Sequence, residues 1–160
     1  MSIIPDISKS SFPFSLQTTS SESTEDIGAA LAQAIINNDY LPYFVALYGD
    51  LGVGKTAFVR GFTREIAPNA RVKSPTFALV KEYKGKYLDV FHFDMYRIDS
   101  EDDLYSIGFY DYFDRKGVCL VEWSEKIEFA LPSSYLKVEI IKDSAESTDS
   151  RTITITYVGT

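Results

Sequence analysis

The chain has 160 residues, 45% hydrophobic and 24% charged, which suits one globular domain (1–160) with a sizeable core. A formal net charge of −7 excludes a broad basic footprint for nucleic acid. The start of the chain lacks a basic stretch followed by an apolar run, and no run approaches the length of a membrane span, so a cytoplasmic protein with no membrane partner is expected.

Residues 1–11 are polar with one proline and read as a frayed tail. Phe12 to Thr18 read as a short edge strand. Ser20-Ser21-Glu22-Ser23 then offers helix caps, with Ser23 and Asp26 fitting a capping box. Ile27, Ala30, Leu31, Ala34 and Ile35 form an i, i+3, i+4, i+7, i+8 stripe, so a helix is expected to about Asn37-Asn38. Thr24, in its first turn, is either a capping residue or a contact to a ligand bound near that turn.

Tyr43 to Tyr48 is an apolar, β-prone run of buried-strand length. Gly49-Asp50-Leu51-Gly52-Val53-Gly54-Lys55-Thr56 follows and fits G-x-x-x-x-G-K-[ST], the phosphate-binding loop. Backbone N–H groups must approach a diphosphate closely there, which glycine permits. Lys55 is placed to reach the β/γ-phosphates and the Thr56 hydroxyl to bind Mg²⁺. After the loop, Phe58, Val59, Phe62 and Ile66 recur at helical spacing, and Pro68-Asn69 ends the helix. Strand, glycine-rich loop and helix are the setting this motif needs, and a helix N-terminus favours anions.

Ser74-Pro75 breaks regular structure. Runs at 77–83 and 87–94, joined by Lys84-Gly85-Lys86, read as a β-hairpin. His92 and Asp94 alternate with Phe91 and Phe93 and so share a face. His92 reads as a hydrogen-bonded structural histidine, with catalysis as the alternative. Ser100 to Asp103 caps a helix carrying Leu104 and Ile107; Gly108 breaks it, Phe109 to Phe113 continue as a short aromatic helix, and Gly117 is expected to end that helix. Val118 to Val121 is a buried strand ending in Glu122 and Trp123. A strand ending in an acid, in a P-loop protein, supplies the Mg²⁺ side of the site. Cys119, the only cysteine, lies in this apolar run and reads as an inert thiol. Lys137 to Ile141 and Thr152 to Tyr157 read as a C-terminal hairpin around a polar, solvent-exposed, non-catalytic turn at 143–150.

The fold expected from this order is α/β: a three-layer P-loop NTPase-like domain with a mainly parallel central sheet and β-hairpin extensions. The stretches GDLGVGKT, SPTF at 74–77, HFDMYR at 92–97, VEW at 121–123 and LP at 131–132 together resemble the TsaE family, over about residues 20–132. The resemblance implies a bacterial P-loop ATPase acting with TsaB, TsaD and TsaC to make threonylcarbamoyladenosine in tRNA, with ATP and Mg²⁺ as cofactors. By the same resemblance the loop residues 49–56 hold the phosphates, with Thr56 and Glu122 as Mg²⁺ ligands. Thr76 corresponds to a switch-type threonine near the γ-phosphate, Asp94 to an acid needed for hydrolysis, and Trp123 to a residue beside the site. Ala57 departs from the pattern, since many members carry a second hydroxyl residue there; only its backbone N–H can then meet the nucleotide.

No arginine finger is evident: Arg60 and Arg64 lie past the first turn of the P-loop helix, and Asp94 is the natural partner of Arg97. A slow ATPase completed by the TsaB–TsaD complex is therefore expected, with tRNA engaged only through that complex. A small-molecule P-loop kinase and a nucleotide-gated scaffold that does not depend on hydrolysis are the competing readings.

Overall fold

The computed structural model describes residues 12–75, 79–144 and 149–159; the tail at 1–11 and Thr76 lie outside them. Seven strands form one sheet: β1 (Phe14–Thr18), β2 (Phe44–Tyr48), β3 (Val80–Tyr83), β4 (Asp89–Asp94), β5 (Gly117–Glu122), β6 (Tyr135–Lys142) and β7 (Arg151–Val158), in the order β1-β7-β6-β2-β5-β4-β3. The middle of the sheet, β6-β2-β5-β4, is parallel. β3 closes one edge and β7 with β1 the other, all antiparallel. Each hairpin therefore lends one strand to the parallel core and places the other at or near an edge, which refines the expected extensions. β2 and β5 are buried along their whole length, as strands covered on both faces must be.

Three layers result. Alternate residues of β2, β4 and β5 (Val45, Leu47, Val90, Val118, Leu120) pack under helices α1 (Ser21–Asn37) and α2 (Lys55–Ile66) through Ile27, Leu31, Phe58 and Phe62. The opposite residues (Phe44, Ala46, Phe91, Phe93, Cys119, Val121) pack against helix α3 (Glu101–Ser106) and the 3₁₀ segment Phe109–Asp114 through Leu104 and Phe109. Cys119 is buried and free, and burial pushes its thiol up to about 12, so the inert reading holds.

Two local expectations are corrected. The capping box of α1 is Ser20 with Ser23, each side chain bonding the other's backbone N–H, rather than Ser23 with Asp26; the helix begins one turn earlier because Ser20 takes the extended conformation an N-cap needs. Gly117 does not end the aromatic helix, which stops at Asp114, but opens β5. A Cβ there would lie 2.6 Å from the Phe91 ring and 2.7 Å from the Asp89 carbonyl, so close packing demands the glycine. Among the described residues, no helix is long and apolar enough to cross a membrane.

Candidate functional site

The carboxyl ends of β2, β5 and β4 lie side by side, and the site is built from what each strand delivers there. β2 runs into the glycine-rich loop. Gly54, at φ 115°, is the N-cap of α2, and Gly49, at φ 149°, leaves no room for a Cβ, which would meet the Ile140 carbonyl at 2.7 Å. Lys55 and Thr56 thus stand in the first turn of α2, beside its unpaired N–H groups.

β5 ends in Glu122, in register with Leu47 of β2 on one side and Asp94 of β4 on the other. The Thr56 hydroxyl lies 3.2 and 3.1 Å from the two carboxylate oxygens of Glu122. Asp94 accepts the Tyr96 backbone N–H at 3.0 Å through one oxygen and the Ser74 hydroxyl at 3.3 Å through the other. Lys55, Thr56, Ala57, Ser74, Asp94, Arg97, Glu122 and Trp123 line one cavity of about 380 Å³ that opens at the loop. A hydroxyl and a carboxylate converging beside a lysine are hard oxygen donors of the kind Mg²⁺ takes, with phosphate and water oxygens to complete it. Among the described residues there is no cluster of three or more acidic, histidine or cysteine side chains for a metal, so protein ligands alone do not close such a site.

Lys55 is 5% exposed. Its ammonium donates to the Gly49 carbonyl, lies 3.4 Å from the Asp50 carbonyl, and sits 3.5 Å from the centre of the Trp123 ring. Burial pulls its pKa below the ordinary lysine range, while Glu125, Glu122, Asp94 and Asp50 oppose that shift. Trp123 reaches the lysine because its backbone is left-handed, at φ 60°, turning the chain back directly after Glu122. Tyr96 packs against the indole at a 50° tilt, 5.0 Å between ring centres.

The sequence-predicted residues Lys55, Thr56, Asp94, Glu122 and Trp123 are therefore brought together, with Leu51, Gly52, Gly54 and Ala57 around them. Thr24 lies apart from the carboxylates. Its hydroxyl is 3.0 Å from that of Thr18, and it lines a second cavity, of about 200 Å³, with Gly52, Val53, Gly54 and Ala57 on the outer side of the loop. Asp149 and Arg151 border that cavity as well, and Arg151, the first residue of β7, donates to the Val53 carbonyl at 2.9 Å, so the C-terminal hairpin braces the phosphate loop, while Asp143, Ser144 and Asp149 of its turn are exposed. Arg60 and Arg64 pair with Glu25 and Asp26 of α1, away from the cavity.

Three contacts had no clear sequence signal. Glu125 accepts the Gly49 N–H at 3.2 Å, tying the turn after β5 to the start of the loop. Arg151 is brought over by a hairpin some hundred residues downstream. His92 Nε2 lies 2.5 Å from Glu122, a contact that its shared face with Asp94 foreshadowed without naming the partner.

The model of the family described as "Threonylcarbamoyl adenosine biosynthesis protein TsaE" matches residues 18–153. The tRNA threonylcarbamoyladenosine biosynthesis protein TsaE of Bacillus subtilis is 39% identical over 143 residues, covering 89% of this chain and 85% of the relative. The protein of the same description from Haemophilus influenzae is 44% identical over 96 residues, 60% of this chain and 61% of the relative. The crystal structure of Bacillus subtilis YdiB superposes with a TM-score of 0.69 at 34% identity, covering 92% of this chain and 86% of that one. With the family model spanning most of the domain and the fold shared at that level, the chain belongs to the TsaE family.

Proposed function

We propose that this chain is the ATP-binding and ATP-hydrolysing subunit for threonylcarbamoyladenosine modification of tRNA, acting in the cytoplasm with TsaB, TsaD and TsaC. The observation that carries this reading is the convergence of the Thr56 hydroxyl and the Glu122 carboxylate, 3.1–3.2 Å apart at the mouth of the glycine-rich loop, with Asp94 on the same cavity wall. Thr56 and Glu122 would hold Mg²⁺, which supplies charge neutralisation for the β- and γ-phosphates. The loop N–H groups from Gly49 to Thr56 and the ammonium of Lys55 bind the phosphates, Lys55 leaving its resting place on the loop carbonyls. Asp94, already held by Tyr96 and Ser74, orients the attacking water. By the family resemblance, Thr76, which lies outside the described residues, and Trp123 would complete the surroundings of the γ-phosphate.

Lys55 and two acids supply positioning; we take Arg97, which lines the same cavity, as not committed to the transferred phosphoryl group, and lack of such an arginine costs about 10³–10⁵ in rate. Hydrolysis by the isolated chain is therefore expected to be slow and to rise when the TsaB–TsaD complex is added. tRNA alone should have no effect, in keeping with the net charge of −7. Steady-state phosphate release with the chain alone, with TsaB–TsaD and with tRNA checks this. Fast turnover by the isolated chain, or tight tRNA binding at physiological salt, would overturn it. Phosphate transfer to an added metabolite would favour a kinase, and modification supported by a non-hydrolysable analogue would favour a nucleotide-gated scaffold.

A further inference from the structure

His92 is fully buried on the face of the sheet that α2 covers, where its neighbours along β4 and β5, Val90 and Leu120, are apolar. Burying an imidazole in such a place is unfavourable unless it is hydrogen-bonded. Among the described residues its Nε2 has one partner, the Glu122 carboxylate at 2.5 Å, and its Nδ1 has none. With no acceptor at Nδ1, the ring proton belongs on Nε2, where it is donated to Glu122. Glu122 is itself 4% exposed; the Thr56 hydroxyl lies 3.1 Å from the oxygen that His92 holds, Oε2, and 3.2 Å from the other, Oε1. A carboxylate at the end of a strand can turn about its last bond. Here Oε2 is pinned from inside the sheet, which fixes the carboxylate plane and leaves Oε1 beside the Thr56 hydroxyl without a bond to His92.

We propose that His92 is a positioning residue for Glu122: it donates Nε2–H to Oε2 and so presents Oε1, with the Thr56 hydroxyl, as a preformed pair of donors for a nucleotide-bound divalent cation. This role presupposes the metal reading of Glu122 given above. A buried apolar side chain would fill the space as well; what it could not do is orient the carboxylate. Partners that orient metal ligands in this way are worth about 10–100-fold in metal affinity.

The test is ATP binding by calorimetry across a Mg²⁺ series and in EDTA, for the unsubstituted protein, His92→Leu, His92→Gln, Glu122→Ala and the His92→Leu/Glu122→Ala double variant. His92→Leu should lower the apparent Mg²⁺ affinity by about tenfold or more and leave binding in EDTA unchanged. His92→Gln, which can place an N–H near the position of Nε2, should restore most of the Mg²⁺ dependence. In the Glu122→Ala background the leucine should have no further effect, because the partner through which His92 acts is gone. Unchanged Mg²⁺ affinity in His92→Leu, equal losses with and without Mg²⁺, or an undiminished loss in the double variant would each overturn the positioning role. Glu122→Ala is read by itself: if it leaves the Mg²⁺ dependence intact, the metal reading fails, whereas a loss there with none in His92→Leu removes only the role of His92. Should the leucine variant not fold, His92→Gln against His92→Asn decides, since the shorter asparagine amide cannot reach Oε2; equal Mg²⁺ dependence in those two overturns the role.

Discussion

At the scale of single residues, the site is held in place by its own groups. The Lys55 ammonium rests on the Gly49 and Asp50 carbonyls and against the Trp123 ring, and the Thr56 hydroxyl rests on Glu122. A nucleotide with Mg²⁺ would exchange these contacts for stronger, charge-assisted ones. Movement of Lys55 off the indole should change Trp123 fluorescence, and since this is the only tryptophan the signal is unambiguous. That signal can read a second substitution. Ala57 is buried and borders both cavities around the loop, where many family members carry a hydroxyl. Ala57→Thr should tighten ATP binding by about 0.5–1.5 kcal/mol, the net worth of one hydrogen bond. Titration of the Trp123 signal checks it, with unchanged or weaker affinity the contrary result.

At the scale of elements, the phosphate loop is set by how closely α1 and α2 cross. Gly61 of α2 and Gly28 of α1 lie in that crossing. A Cβ on Gly61 would fall 1.8 Å from the Glu25 carbonyl oxygen, and one on Gly28 would fall 2.1 Å from that of Phe58. In a free helix, Gly→Ala gains about 0.5–1 kcal/mol. Here the clash is with backbone that has no rotamer to escape into, so Gly61→Ala should instead destabilise by about 1–3 kcal/mol or more. Urea unfolding measures the sign directly: a midpoint shifted upward would mean the helices have room to separate. The periodic stripe that made α1 legible in the sequence did not reveal these contacts, because a stripe reports which face is buried and not how near its partner lies. The same limit explains the other gaps. β2, the glycine-rich loop and α2 announce themselves through local spacing, as does the strand that ends in Glu122. Gly117 as a strand residue, Arg151 on Val53 and Glu125 on Gly49 depend on what lies across the sheet, which local pattern does not encode. The shift of the α1 cap from Ser23 to Ser20 is a subtler case, since a run of serines offers several chemically equivalent caps and the chain's approach from β1 selects one.

At the scale of the whole molecule, the two faces of the sheet divide the work. The face under α3 and the segment Phe109–Asp114 is apolar or aromatic along the middle of β4 and β5, through Phe91, Phe93, Cys119 and Val121. The face under α1 and α2 is apolar until His92, Asp94 and Glu122, where it turns polar at the carboxyl edge. Among the described residues, the groups proposed to meet the nucleotide stand on the parallel core, on α2 or on the turns leaving β2 and β5, and ligand binding should stabilise the domain as a unit rather than order one loop. At about a hundredfold excess over Kd, binding to the folded state alone adds about 2.7 kcal/mol. For a domain of this size that corresponds to a rise of about 5–11 °C in Tm. Thermal melts with ATP, with Mg²⁺ and with both should show the full rise only for the pair. Glu122→Ala should keep the part due to ATP alone and lose the increment from Mg²⁺. Arg151→Ala, which unties the C-terminal hairpin from the loop without touching the carboxylates, should instead reduce both parts together. If ATP and Mg²⁺ left Tm unchanged at saturating concentrations, the cavity at the end of β2 would not be a nucleotide site of the folded chain.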